Sequence, residues 1–254
     1  MELLRTEGIT KSYQTHMIIR NISIRLEQGE LVSLLGLSGS GKTTLLNIIS
    51  GLVLPDEGRV FLSGREITGQ PGNISYMLQK DLMLEHKKVI DNVALPLVIR
   101  GMKKEEARAK AEPFFAQFDL SGTQLLYPSQ LSGGMRQRAA LLRTYLGSQG
   151  AVLLDEPFSA LDMITREQLH AWYLEIVEKI GLSTVLITHD VDEAITMSDR
   201  IYVMTGSPGE IRHEIRVDVP RKERGDFNLM PAFQGYKRQI REILQSSMEG
   251  SDRG

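Results

Sequence analysis

The chain has 254 residues, with 30 basic against 32 acidic side chains and a formal charge of −2, a balance that argues against a bulk polyanion such as nucleic acid as partner. It contains no cysteine, which excludes disulfides, Cys-ligated zinc and a thiolate nucleophile. The longest apolar runs, such as 93–99, fall far short of the ~18 residues of a spanning helix, and Glu2, Arg5 and Glu7 break any signal-peptide core.

Residues 1–35 read as strands: Ile22, Ile24 and Leu26 alternate with Ser23 and Arg25, Gln28-Gly29 supplies a turn, and 31–35 is a near-continuous apolar run of the kind buried inside a sheet. After the glycine-rich stretch 36–41, residues 42–49 read as a helix closed by Gly51. Further strand signals fall at 59–62, 74–78, 151–154, 184–188 and 201–204. Between 80 and 147 the periodicity turns helical, with polar connections at 101–104 and 120–123. The expectation is a mixed α/β core interrupted by a helical insertion. In the tail, Phe233, Tyr236, Ile240, Ile243 and Leu244 fall at helical spacing on a helix that packs on the core or on a partner, and 246–254 is expected to fray. Arg221, Lys222 and Arg224 are expected on a solvated face because Glu223 and Asp226 interleave them.

Gly36-Leu37-Ser38-Gly39-Ser40-Gly41-Lys42-Thr43 fits G-x-x-x-x-G-K-[ST] between a strand and a helix. The glycines let the backbone curl so that N–H groups face inward, and the helix N-terminus adds positive potential for phosphate oxygens. Lys42 would reach the β- and γ-phosphates and the Thr43 hydroxyl would coordinate Mg²⁺. Kinase, GTPase and transport ATPase all satisfy this loop. A second apolar strand ends in Asp155, suited to hold Mg²⁺, and Glu156, placed to polarise an attacking water as general base.

Leu131-Ser132-Gly133-Gly134-Met135-Arg136-Gln137-Arg138 resembles the signature motif of ABC transporter ATPases. A Ser and two glycines open a helix whose stripe Met135, Ala139, Leu142 and Leu146 faces inward, presenting a hydroxyl and free N–H groups to an anion. Residues 131–150 hold three arginines and no acid, which suits a phosphate-facing end. The resemblance covers about residues 3–215 and implies an α/β fold of the P-loop NTPase ABC cassette type, with a RecA-like mixed sheet core, an N-terminal antiparallel β subdomain and a helical subdomain at about 80–147. Residues 216–254 form a C-terminal extension. It further implies that Tyr13 stacks on adenine, that Gly36 through Lys42 with Thr43 and Thr44 surround the phosphates, and that Gln79 contacts Mg²⁺ and the attacking water. By the same resemblance Asp162 in Ser159-Ala160-Leu161-Asp162 lies on the dimer interface and His189 contacts the γ-phosphate. Ser132, Gly133 and Gly134 would bind the ATP held by the other subunit, so a head-to-tail homodimer is implied.

Met135, the stretch 155–162 followed by Thr165-Arg166-Glu167, the stretch 189–194 and Thr205-Gly206-Ser207-Pro208-Gly209-Glu210-Ile211 resemble the nitrate, sulfonate and taurine import branch, which thiamine-precursor importers share. His86-Lys87-Lys88-Val89 departs from a Pro-Trp-containing stretch common there. The resemblance implies an ATPase peripheral to the cytoplasmic side of the membrane, served by separate permease subunits and indirectly by an extracytoplasmic solute-binding protein. The alternatives are a soluble ABC ATPase acting on nucleic acid or ribosomes, and a nucleotide-gated scaffold without turnover.

Overall fold

The computed structural model describes residues 1–224 and 226–251. In chain order, β1 (Glu2–Tyr13), β2 (His16–Ile22) and β3 (Arg25–Glu27) lead to the central strand β4 (Leu31–Gly36) and helix α1 (Lys42–Ile49). Next come β5 (Glu57–Leu62), β6 (Arg65–Glu66) and β7 (Ser75–Met77), and then the helices α2 (Val89–Ile99), α3 (Lys104–Gln117) and α4 (Gly133–Gly147). The chain continues with β8 (Ala151–Asp155), α5 (Met163–Ile180), β9 (Ser183–Thr188), α6 (Val191–Met197), β10 (Arg200–Thr205), β11 (Glu210–Arg216) and α7 (Pro231–Ser251).

Two sheets divide the strands. One is antiparallel, ordered β2-β1-β5-β6 with β3 also on β1; the other is ordered β11-β10-β4-β9-β8-β7 and is parallel except for β11. Every residue of β4, β8, β9 and β10 is buried, as expected of strands covered on both faces. α1 lies between the sheets: Leu45, Leu46, Ile48 and Ile49 share a core with Leu4, Ile22 and Val60 of the antiparallel sheet and Leu34 and Leu153 of the parallel one. A second core joins α2, α3, α4 and α5. Asp91 on α2 accepts two bonds of 2.8 Å from Arg108 on α3, fixing that helix pair.

Among the described residues no helix is long and apolar enough to cross a membrane. The tail packs on the body: Phe227, Phe233 and Ile240 share a third core with Ala194, Ile195, Val203 and Ile215. α7 runs through Ser251, so 246–251 is helical where fraying was expected, and 252–254 lie outside the described residues. The basic trio also differs from expectation, because only Lys222 is exposed. Arg221 pairs with Asp199, and Arg224, 4% exposed, donates to the carbonyls of Val219, Thr196, Ser198 and Val217. Burial pushes the Arg224 guanidinium down to about 10, against the pull of Asp199, so the group keeps its charge at neutral pH. A planar fork of donors is what four inward-facing carbonyls require.

Candidate functional site

The C-terminal ends of three adjacent parallel strands build the site, the edge at which open α/β sheets hold ligands. β4 runs into the loop 37–41, β8 ends at Asp155 and β9 ends at Thr188, just before His189. The loop closes on α1 through Gly41, whose φ of +91° lies in the left-handed region; a Cβ there would also overlap the Ile19 side chain, so only glycine serves. An open cavity of about 480 Å³ follows, lined by Ile18, Ser38, Gly39, Gly41, Lys42, Thr43, Thr44, Gln79, Asp155 and Glu156.

Lys42 is nearly enclosed, and its Nζ donates to the carbonyls of Gly36 (2.9 Å) and Leu37 (2.8 Å). Burial lowers its pKa while Glu156 and Asp155 pull it back up. Asp155 is buried and accepts on Oδ2 from the Thr43 hydroxyl at 3.2 Å and the Tyr76 hydroxyl at 3.1 Å. Its pKa is raised, with burial outweighing those two bonds and Glu156 adding to the rise. Burial, then Asp155, pushes the Tyr76 phenol far up, so it is a hydrogen-bond donor only.

Glu156 is where three segments meet. Its backbone has φ +46° and its N–H is held by the Ile187 carbonyl at 3.0 Å. Gln79 Nε2 donates to Oε2 at 3.2 Å and His189 Nδ1 lies 3.0 Å from Oε1. Each carboxylate oxygen thus has its own partner.

The other expected residues stand apart from this cavity. Tyr13, 47% exposed, ends β1 with its ring 5.6 Å from Lys11 Nζ and is not part of the cavity wall. Ser132 caps α4 by accepting from Met135 N–H at 3.3 Å, with Gly133 and Gly134 in the first turn beside Leu161 and Thr165. Asp162 caps α5 by accepting from Thr165 N–H at 3.0 Å, and hydrogen bonds from the Thr165 side chain and then its backbone hold the carboxyl below the usual range. The inward stripe of α4 is as expected, but its arginines are engaged by acids and carbonyls of their own chain. Arg136 binds Asp81 and Glu85, Arg138 pairs with Asp119 and covers the Trp172 ring, and Arg143 donates to the carbonyls of Asp81 and Leu82. Sequence reading missed Tyr76, whose only signal was a phenol inside the apolar stretch 74–78, and Gln137, whose amide donates to the Pro157 carbonyl beside the strand-end acids.

A phosphate loop and strand-end acids on a mixed sheet, with an inserted helical lobe, define an ATP-binding cassette. The ABC transporter family model matches residues 19–159, and the chain belongs to that family as an ATPase. It is similar to the formylaminopyrimidine import ATP-binding protein ThiZ of Halalkalibacterium halodurans, 39% identical over 246 residues and 96% of each chain. It is also similar to the uncharacterized ABC transporter ATP-binding protein YtlC of Bacillus subtilis, 43% identical over 254 residues and 97% of each chain. Among solved structures, the dimeric ATP-binding cassette MJ0796 in a post-hydrolysis state bound to ADP and Pi superimposes with a TM-score of 0.72 at 29% identity, covering 86% of this chain and 100% of that one.

Proposed function

We propose that this chain is the ATP-hydrolysing subunit of an importer, acting as a head-to-tail homodimer on the cytoplasmic face of a membrane. Separate permease subunits would supply the pore and an extracytoplasmic solute-binding protein would deliver the solute. The names of two relatives support import: ThiZ, and the sulfate/thiosulfate import protein CysA of Synechococcus elongatus, 37% identical over 238 residues. This chain covers 96% of the ThiZ relative and 69% of the CysA relative, and the solute is proposed as a small molecule of nitrate, sulfonate and taurine type or of thiamine-precursor type.

The observation that carries hydrolysis is Glu156, held between Gln79 and His189 in the cavity that also holds Lys42, Thr43 and Asp155. Lys42 and the loop N–H groups bind the phosphates of ATP. The Thr43 hydroxyl, the Asp155 carboxylate and the Gln79 amide oxygen are hard oxygen donors suited to Mg²⁺, which when bound offsets charge on the β- and γ-phosphate oxygens. Glu156 takes a proton from the attacking water, and His189 and Gln79 hold its carboxylate for that transfer. Ser132, Gly133 and Gly134 of one subunit complete the phosphate site of the other, with Asp162 at the same interface and Tyr13 against the adenine.

Glu156→Gln should slow ATP turnover by roughly 10²- to 10⁴-fold while ATP binding persists. Unchanged hydrolysis would remove Glu156 from the mechanism. Purification from gently solubilised membranes should recover a multi-spanning partner; recovery only with ribosomes or nucleic acid would overturn the importer reading.

A further inference from the structure

The turn between β10 and β11, residues 206–209, lies against the phosphate loop. The Gly209 N–H donates to the Ile18 carbonyl at 2.8 Å and the Gly209 carbonyl accepts from the Arg20 N–H at 3.0 Å, so the turn is joined to the edge of β2. Arg20 Nε adds a 2.6 Å bond to Glu210. On its other side Gly209 abuts Ser40: a Cβ at 209 would overlap the Ser40 carbonyl oxygen and come within 3.1 Å of its carbonyl carbon. Gly209 does not have the left-handed backbone of Gly206, so its need for glycine comes from contact alone.

The Ser40 carbonyl shares a planar trans peptide with the Gly41 N–H, and in such a unit the two groups point in opposite directions. A backbone seated on the carbonyl side therefore fixes the Gly41 N–H away from the turn. Gly41 lines the nucleotide cavity and caps α1, where backbone N–H groups and the helix dipole receive phosphate. The region matched by the family model ends at residue 159, 50 residues before this contact.

We propose that the 206–209 turn, through Gly209, is a positioning element for the phosphate loop, setting the Ser40–Gly41 peptide and hence the affinity for nucleoside phosphates. This rests on the assignment of residues 36–43 to phosphate binding. The test is calorimetric titration of ADP with Mg²⁺ into the full chain and four variants, with thermal unfolding of each. Gly209→Ala should weaken ADP binding about tenfold or more. Gly206→Ala strains the same turn through its φ of +89° but places its Cβ nearest Pro208 and not the phosphate loop, so it should lower Tm and keep ADP affinity within about twofold. Wild-type affinity in Gly209→Ala, or equal weakening in both variants, overturns the proposal. If Gly209→Ala does not fold, Glu210→Ala, which removes the Arg20 side-chain tie to the turn, should weaken ADP about threefold, and unchanged affinity there overturns it. Lys42→Ala separates the two readings: retained binding in that variant sinks the phosphate-loop assignment itself, whereas binding lost there and kept in Gly209→Ala sinks only the positioning role.

Discussion

Tyr76 holds Asp155 from a neighbouring strand, and its phenol is the group that orients the Oδ2 oxygen together with Thr43. Partners one step removed from a metal ligand typically change metal affinity or activity by 10- to 100-fold. Tyr76→Phe is accordingly expected to raise the Mg²⁺ concentration for half-maximal hydrolysis by about tenfold with ATP saturating, read from Mg²⁺ titrations of activity; an unshifted titration removes Tyr76 from the site. The loop, Lys42, Asp155 and Glu156 were legible because their chemistry sits in contiguous residues with strand and helix flanks. Tyr76 was not, since its partner lies 79 positions away across a strand pairing. Arg136 misled for the same reason: its acid is 55 residues upstream, and a run of arginines without neighbouring acids reads as free charge until the fold supplies Asp81.

At the scale of elements, α2 and α3 are joined by Asp91 and Arg108. Hydrogen bonds from Arg108 hold the Asp91 carboxyl below its usual range against the effect of burial. A depressed folded-state pKa stabilises the protein above the unfolded carboxylate value of about 3.9 and loses that contribution as pH falls below it. Asp91→Asn should therefore destabilise at pH 7 and flatten the stability loss as pH falls below the unfolded carboxylate value of about 3.9, measured by urea unfolding across pH. Arg224→Met leaves four carbonyls of the tail and the α6 end without their donor and should cost about 3 kcal/mol, read from the urea midpoint; a change under about 0.5 kcal/mol would show that water replaces it. The parallel strands of the larger sheet were legible from apolar runs, while the antiparallel edge strand β11, with four charged side chains in seven residues, was not. α6 was not, because seven residues give no periodicity and the helix depends on the Asp190 cap and tertiary packing. α5 does carry a readable stripe in Leu169, Trp172, Tyr173, Ile176 and Val177, overlooked beside the motif that precedes it.

At the scale of the molecule, Ser132, Gly133 and Gly134 stand outside the cavity of their own chain, as a head-to-tail pairing requires. With ATP, the Glu156→Gln protein should elute at twice the 28.5 kDa chain mass, and adding Ser132→Arg should return it to the monomer while ATP still binds. A monomer in both cases would refute the pairing. The packing of the tail helix was legible in the spacing of Phe233, Tyr236, Ile240, Ile243 and Leu244, whereas the burial of Arg224 was not, because its acceptors are carbonyls that only the fold brings together.

The stretch from Gln79 to Asp81 has a consequence for how two such sites communicate. Gln79 touches the Glu156 carboxylate, and two residues later Asp81 grips Arg136, one turn inside the helix that Ser132 opens. In the proposed dimer, that lever joins each chain's own nucleotide to the surface with which it reads its partner's. Such a lever would make occupancy at one site felt at the other, and the expected outcome is turnover that rises with ATP more steeply than a hyperbola, a cooperativity that Asp81→Ala would abolish.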